Sequence, residues 1–324
     1  CSVVSRTKLF FKRSFMKKEV KVGVVQATPA LFDIKRSVEL VIEWIERGKK
    51  EGCEMLLFPE AFIPAYPRGI SYDAVVGRRT ERARELYLDY WNNSISESST
   101  YVAEIANAAK EANMFVALGV TERDEIGGTL YCSIFYFGSN GEFLGKHRKL
   151  KPTGLERFVW GEGDGTTLST FDTSLGKIGG LICWENYMPL ARMSMYSKDV
   201  QIYLAPTADS RESWQSTIQH IAMEGRCYVL GCNQMVRKED YPERYQEFLT
   251  DEPEIMSRGG SAIIAPNGEY LAGPLWDEEG LLTAVLDHDT LIKSKLDFDV
   301  VGHYSRNDVF TFETNGQPLS KKCD

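Results

Sequence analysis

Lys177-Ile178-Gly179-Gly180-Leu181-Ile182-Cys183-Trp184-Glu185-Asn186-Tyr187-Met188-Pro189-Leu190 reads as an apolar strand, a sharp turn and the start of a helix. The junction falls on Cys183. Unpaired N–H groups and aligned peptide dipoles at a helix start favour negative charge, so a thiol there is expected to reach its thiolate form more readily than a free cysteine. Taken alone, such a cysteine is most often a small hydrophobe closing a strand. Two carboxylates and a lysine in matching contexts upstream give it a second reading.

Working outward, strands and helices alternate on both sides of this junction. Upstream, Val20 to Ala27 is β-rich, and Ile34 to Lys50 carries Val38, Leu40, Val41, Trp44 and Ile45 at helical spacing. Met55 to Phe58 is a short buried strand stopping at Pro59-Glu60. Tyr101 to Ala112 reads as a helix, Met114 to Val120 as a strand, and Tyr131–Phe137 with Glu142–Gly145 as two strands across a Ser-Asn-Gly turn. Downstream the expected elements are helix Pro189–Ser197, strand Val200–Leu204, helix Ser213–Arg226, and strands Cys227–Val236, Gly260–Ala265 and Gly280–Leu286. This order predicts an α/β fold with helices on the outer faces of mixed sheets. The acidic stretch Lys238–Glu254 reads as a loop. No glycine-rich linker divides the chain, so residues 20–296 are expected to form one domain and 297–324 an arm or tail.

The chain has 324 residues, 43% hydrophobic and 26% charged, enough to bury a sizeable core. A net charge of −8 argues against nucleic acid and anionic membrane as partners, and no apolar run reaches the roughly 18 residues of a membrane span. Residues 1–19 read as a leader: the first 18 hold six basic side chains and no acid, as a transit peptide, a vector-derived segment or a mis-started leader would. Met16 directly precedes the first convincing strand. Seven scattered cysteines, an odd number in a long chain, point to a reducing cytoplasm rather than a disulfide framework.

A nucleophilic thiol needs a base. Among the four histidines, His303 in Gly-His-Tyr-Ser-Arg is a conceivable papain-like partner, although its surroundings read as an extended arm. Glu60 is a better base. It follows an apolar strand and precedes Ala-Phe-Ile-Pro-Ala-Tyr-Pro, a setting that disfavours the ionised form and suits proton shuttling near neutral pH. In Lys146-His147-Arg148-Lys149-Leu150-Lys151, alternation places His147, Lys149 and Lys151 on one face, so one of these ammonium groups could point inward and stabilise developing charge. Glu156 supplies a second carboxylate. Cys227 and Cys232 lack the spacing of a zinc site, and no metal or cofactor is expected.

Phe-Pro-Glu at 58–60, His-Arg-Lys-Leu-Lys-Pro-Thr at 147–153, Glu-Arg-Phe-Val-Trp-Gly-Glu-Gly-Asp-Gly at 156–165 and Cys-Trp-Glu-Asn-Tyr-Met-Pro-Leu at 183–190 together resemble the nitrilase branch of the carbon–nitrogen hydrolase superfamily. Ala-Pro-Thr-Ala-Asp at 205–209 and Val-Gly-His-Tyr-Ser-Arg-Asn-Asp at 301–308 extend the likeness, which runs from about Val20 to Asp308. The resemblance implies a four-layer α-β-β-α sandwich that forms a homodimer and sometimes larger spirals. It also implies Cys183 as nucleophile, Glu60 as general base, Lys149 as the cation at the developing charge and Glu156 as supporting acid. Tyr66, Trp160 and Trp184 would flank the substrate. The implied reaction converts an organic nitrile to the carboxylic acid and ammonia through a thioimidate and a thioester. Cyanide hydratase or dihydratase chemistry, and amidase or carbamoylase chemistry, would use the same residues. Trp184 weighs against the amide-cleaving branches.

Overall fold

Alternating burial along the strands dictates the layers. In Val20–Val25, Val22 and Val24 face one way and Val25 the other; in Met55–Leu57, Met55 and Leu57 oppose Leu56; in Ile202–Ala205, Ile202 and Leu204 oppose Tyr203 and Ala205. The first set from each strand meets in one interior cluster, and the opposite sets meet helices. Two sheets therefore stack face to face with helices outside both, the α-β-β-α sandwich expected from the sequence.

The computed structural model describes residues 17–317. The elements are β1 (Glu19–Gln26), α1 (Ile34–Lys50), β2 (Met55–Leu57), α2 (Glu81–Asn93), α3 (Thr100–Ala112), β3 (Phe115–Arg123), β4 (Leu130–Phe137) and β5 (Phe143–Arg148) in the first half. The second half holds β6 (Phe171–Thr173), β7 (Gly176–Gly180), α4 (Pro189–Tyr196), β8 (Ile202–Pro206), α5 (Glu212–Gly225), β9 (Tyr228–Cys232) and β10 (Met235–Arg237). It continues with α6 (Glu243–Gln246), β11 (Ile255–Ile264), β12 (Tyr270–Trp276), β13 (Gly280–Asp287) and α7 (His288–Ser294). One sheet runs β13-β1-β2-β3-β4-β5 and the other β10-β11-β9-β8-β7-β6, with β12 paired to β11. Both are mixed: β1-β2-β3 and β7-β8-β9 are parallel, and the outer pairings are antiparallel.

Helix α1 begins where Asp33 accepts the Arg36 N–H at 3.0 Å and ends with Arg47, Lys49 and Lys50 against the negative end of its dipole. Its Val38, Val41, Trp44 and Ile45 pack on Leu56, Val116 and Leu118 together with Val102 and Ile105 of α3. Each such buried aliphatic contributes about 1.5–3 kcal/mol. On the far side Met195 of α4 and Trp214, Ile218 and Ile221 of α5 cover Tyr203, Val229 and Ile264.

Several sequence expectations shift. The single strand expected over Cys227–Val236 is two, broken at Asn233-Gln234, whose side chains leave the sheet to bond the Gly259 and Glu60 carbonyls at 2.8 and 2.7 Å. Helix α2 has no counterpart in the expected elements: it is capped by Thr80 but buries only Tyr90 fully, so its apolar stripe is faint. The expected loop Lys238–Glu254 contains α6 and two short helical turns. Leader residues 1–16 lie outside the described residues, and β1 begins at Glu19. Among the described residues, no helix is long and apolar enough to cross a membrane.

Candidate active site

Four side chains from separate segments converge at one end of the sandwich. Glu60 follows β2 in a turn made possible by Gly119, where a Cβ would sit 1.9 Å from the Pro59 carbonyl oxygen. Lys149 directly follows β5, and its N–H donates to the Cys132 carbonyl at 2.8 Å. Glu156 lies in the short turn Gly154–Phe158, where its carboxylate accepts the Thr153 N–H at 2.6 Å. Cys183 begins the turn Cys183–Tyr187 with φ of 51°, a left-handed conformation costly for a side-chain-bearing residue. Gly180 lets the preceding strand press on β8, since a Cβ there would meet the Leu204 oxygen at 2.0 Å.

The Lys149 ammonium is 2.7 Å from Glu60 Oε1 and 2.8 Å from Glu156 Oε2, with the lysine and Glu60 side chains wholly excluded from solvent. Glu60 Oε1 also accepts from the Cys132 thiol at 3.4 Å, whereas Oε2 has no hydrogen-bond partner among the described residues. Thr207 Oγ1 lies 3.1 Å from Cys183 Sγ. Tyr66 donates to Glu156 Oε1 at 2.8 Å, and the Trp160 ring stands edge-on to Tyr66 with its centroid 5.8 Å from the lysine nitrogen.

Burial raises the pKa of Glu60, and the nearby Glu156 charge adds to this, against the opposing pull of Lys149. The apolar surroundings read from its flanking sequence have the expected effect. Burial alone would lower the Lys149 pKa, but the charges of Glu60 and its neighbours outweigh it and hold the ammonium well above its ordinary range. Cys183 departs from expectation. Burial and the Glu60 charge push its thiol up to about 12 in spite of Lys149. Burial and the two nearby acids favour the thiol form, at the start of a five-residue 3₁₀ turn separate from α4. A buried thiol next to a carboxylate with an open oxygen and a fixed ammonium is equipped to lose its proton as it attacks an electrophilic carbon.

A cleft of about 240 Å³ lined by Cys183, Trp184, Tyr66, Arg68, Glu156 and Arg211 leads to this cluster. An adjoining cavity of about 460 Å³ shares Tyr66, Arg68 and Glu156 and adds Trp160. Trp184 is 39% exposed, and its indole N–H donates to Asp209 at 2.8 Å. His303 is exposed in the C-terminal segment and stands edge-on to Tyr304. Lys151 turns to solvent and pairs with Glu162, while His147 is buried with Lys149 as the alternation suggested. Thr207 and Cys132 were not anticipated; Thr207 lies in the Ala-Pro-Thr-Ala-Asp motif, but nothing in that motif alone signals contact with a sulfur twenty-four residues earlier.

This sandwich, with an acid, a lysine and a thiol at one buried point, defines a hydrolase of carbon–nitrogen bonds, and residues 21–295 match the carbon-nitrogen hydrolase family. Among solved structures the fold is similar to Nit3 of Saccharomyces cerevisiae, a nitrilase-superfamily member (TM-score 0.71, 19% identity, 90% of this chain and 98% of that one). It is also similar to an amidase from Nesterenkonia (TM-score 0.65, 18% identity, 87% and 97%). In sequence it is 46% identical to an aliphatic nitrilase of Sinorhizobium fredii over 93% of this chain and 97% of the relative. It is 44% identical to the bifunctional nitrilase/nitrile hydratase NIT4A of Lupinus angustifolius, over 93% and 87%, and 43% identical to nitrilase 2 of Arabidopsis thaliana, over 92% and 89%. The chain belongs to the carbon–nitrogen hydrolase family, on its nitrilase branch.

Proposed function

We propose that this chain is a nitrilase that hydrolyses an organic nitrile to the carboxylic acid and ammonia, with Cys183 as nucleophile. One observation carries the reading: the thiol, the Glu60 carboxylate with an unpartnered oxygen and the Lys149 ammonium share one buried site in a chain more than 40% identical to nitrilases over most of its length. Glu60 takes the thiol proton as sulfur bonds to the nitrile carbon and delivers it to nitrogen, leaving a thioimidate. Lys149, together with the backbone N–H after Cys183, stabilises charge on that nitrogen. Water, deprotonated by Glu60 with Glu156 in support, adds to the carbon; the nitrogen takes up protons and leaves as ammonia, giving a thioester. A second water frees the acid and restores the thiol.

Tyr66, Trp160 and Trp184 border the substrate in this reading. Tyr66 orients Glu156, Trp160 walls the lysine, and half-exposed Trp184 sits at the mouth. Residues 20–296 act as one hydrolase domain with an arm from 297, of which 318–324 lie outside the described residues. Exposed Met188, Leu190 and Met223 on the outer helical layer offer an apolar face to a second copy, in keeping with a homodimer. The five described cysteines are free and buried, in keeping with a reducing cytoplasm. A panel of aliphatic, aromatic and amino-acid nitriles, assayed for ammonia, acid and amide separately, tests the activity. Amide substrates without nitrile turnover would replace it with the amidase reading.

A further inference from the structure

His147 and Glu185 are each only 1% exposed, and neither has a part in the chemistry above. Glu185 Oε1 accepts the Leu150 N–H at 2.8 Å, and Oε2 accepts the Ile182 N–H at 2.8 Å. Those two amides belong to the residue after Lys149 and the residue before Cys183. His147 Nε2 lies 3.1 Å from one carboxylate oxygen and 2.9 Å from the other, while Nδ1 meets the Thr167 carbonyl at 3.0 Å. A single carboxylate thus joins the segment bearing the ammonium to the turn bearing the sulfur.

We propose that Glu185 is a positioning residue that fixes Cys183 against Lys149 by holding the Ile182 and Leu150 amides on one carboxylate, with His147 fixing that carboxylate in turn. The proposal rests on the nitrilase reading of the site. Two features make such a clamp necessary. Cys183 holds a left-handed φ of 51°, and such strain persists only when the surroundings over-determine it. The two segments come from different sheets, β5 in one and β7 in the other, so no strand pairing sets their separation. Asn186 grips the turn as well, donating to the Leu181 and Cys183 carbonyls at 2.9 Å each, and among the described residues its hydrogen bonds do not reach the lysine segment.

Glu185→Gln keeps the shape yet offers only one acceptor oxygen, so its amide N–H₂ opposes one of the two backbone N–H groups. The expected result is a fall in kcat of about 10²-fold with KM changed less than about threefold, together with slower alkylation of Cys183 by iodoacetamide, in protein with wild-type circular dichroism. His147→Gln, whose amide can still donate to Glu185, is expected to retain most of kcat, whereas His147→Leu loses it. Wild-type kcat in folded Glu185→Gln, or equal losses in the Gln and Leu variants of His147, would overturn the clamp. If Glu185→Gln does not fold, the His147 pair decides. Cys183→Ala keeps the outcomes separable: full activity there overturns the nitrilase reading, while a dead Cys183→Ala beside an active Glu185→Gln overturns only the clamp.

Discussion

The ammonium of Lys149 sits 2.7 Å from Oε1 of Glu60, both side chains are shut off from solvent, and Oε2 of the same carboxylate has no partner among the described residues. In the mechanism proposed above, the paired oxygen anchors the cation and the other takes the proton.

In the proposed mechanism Glu60 must be ionised to accept the Cys183 proton, and burial raises its pKa. Below that pKa the carboxylate already holds a proton, so kcat/KM is lost as pH falls through a value above the ordinary glutamate range near about 4.3. Lys149 stays charged throughout, being held well above its usual value. A pH–rate profile with its acid limb at or below ordinary glutamate values would contradict this assignment.

Removing the Glu60 charge has a calculable sign on the sulfur. Burial and that charge raise the Cys183 pKa and Lys149 lowers it, so Glu60→Gln removes one of the opposing causes and brings the thiol below about 12, with burial and Glu156 still acting against the lysine. The variant is expected to show more thiolate by ultraviolet absorbance at a given alkaline pH, yet turn over at least about 10²-fold more slowly for want of a proton carrier.

Lys149→Ala leaves two carboxylates facing one another without a cation, at separations from the lysine nitrogen of 2.7 and 2.8 Å in the native site. Uncompensated buried charge of this kind costs about 3–5 kcal/mol. Urea unfolding is expected to register a loss of that order alongside abolished turnover; unchanged stability and kinetics would move the functional cation elsewhere.

Tyr66→Phe deletes the 2.8 Å hydrogen bond to Glu156 while keeping the ring against Trp160. Leaving an acceptor short of its donor costs about 1–3 kcal/mol, so kcat/KM should fall roughly five- to 150-fold. Steady-state kinetics on any nitrile that the panel identifies can measure this.

Much of this was legible in the sequence because periodicity reports burial directly. Helix α1 has the boundaries its apolar spacing predicts, Ile34–Lys50; the strand expected at Glu142–Gly145 runs on as β5 to Arg148, and alternation put Lys149 on the face of His147 and Lys151 without deciding which lysine turns inward. Helix α2 was not legible because a single fully buried tyrosine leaves no stripe, and β12 because Gly273-Pro274 interrupts an exposed strand. At the site, one-dimensional reasoning found the residue types but misjudged the state of Cys183. A sequence can place a thiol at a turn; it does not reveal how far burial and neighbouring acids outweigh a nearby ammonium. The contact of Glu185 with His147 crosses from one sheet to the other and depends on the stacking itself, whereas that of Thr207 with Cys183 depends on the parallel pairing of β7 with β8.

The most direct test traps the covalent intermediate. Acid-quenching the protein during steady-state turnover of a nitrile and mapping its peptides by mass spectrometry is expected to find the acyl or imidoyl adduct on the peptide carrying Cys183, with neither adduct nor ammonia from Cys183→Ala. Ammonia release by Cys183→Ala at the wild-type rate, with no adduct on that peptide in the wild type, would contradict the account.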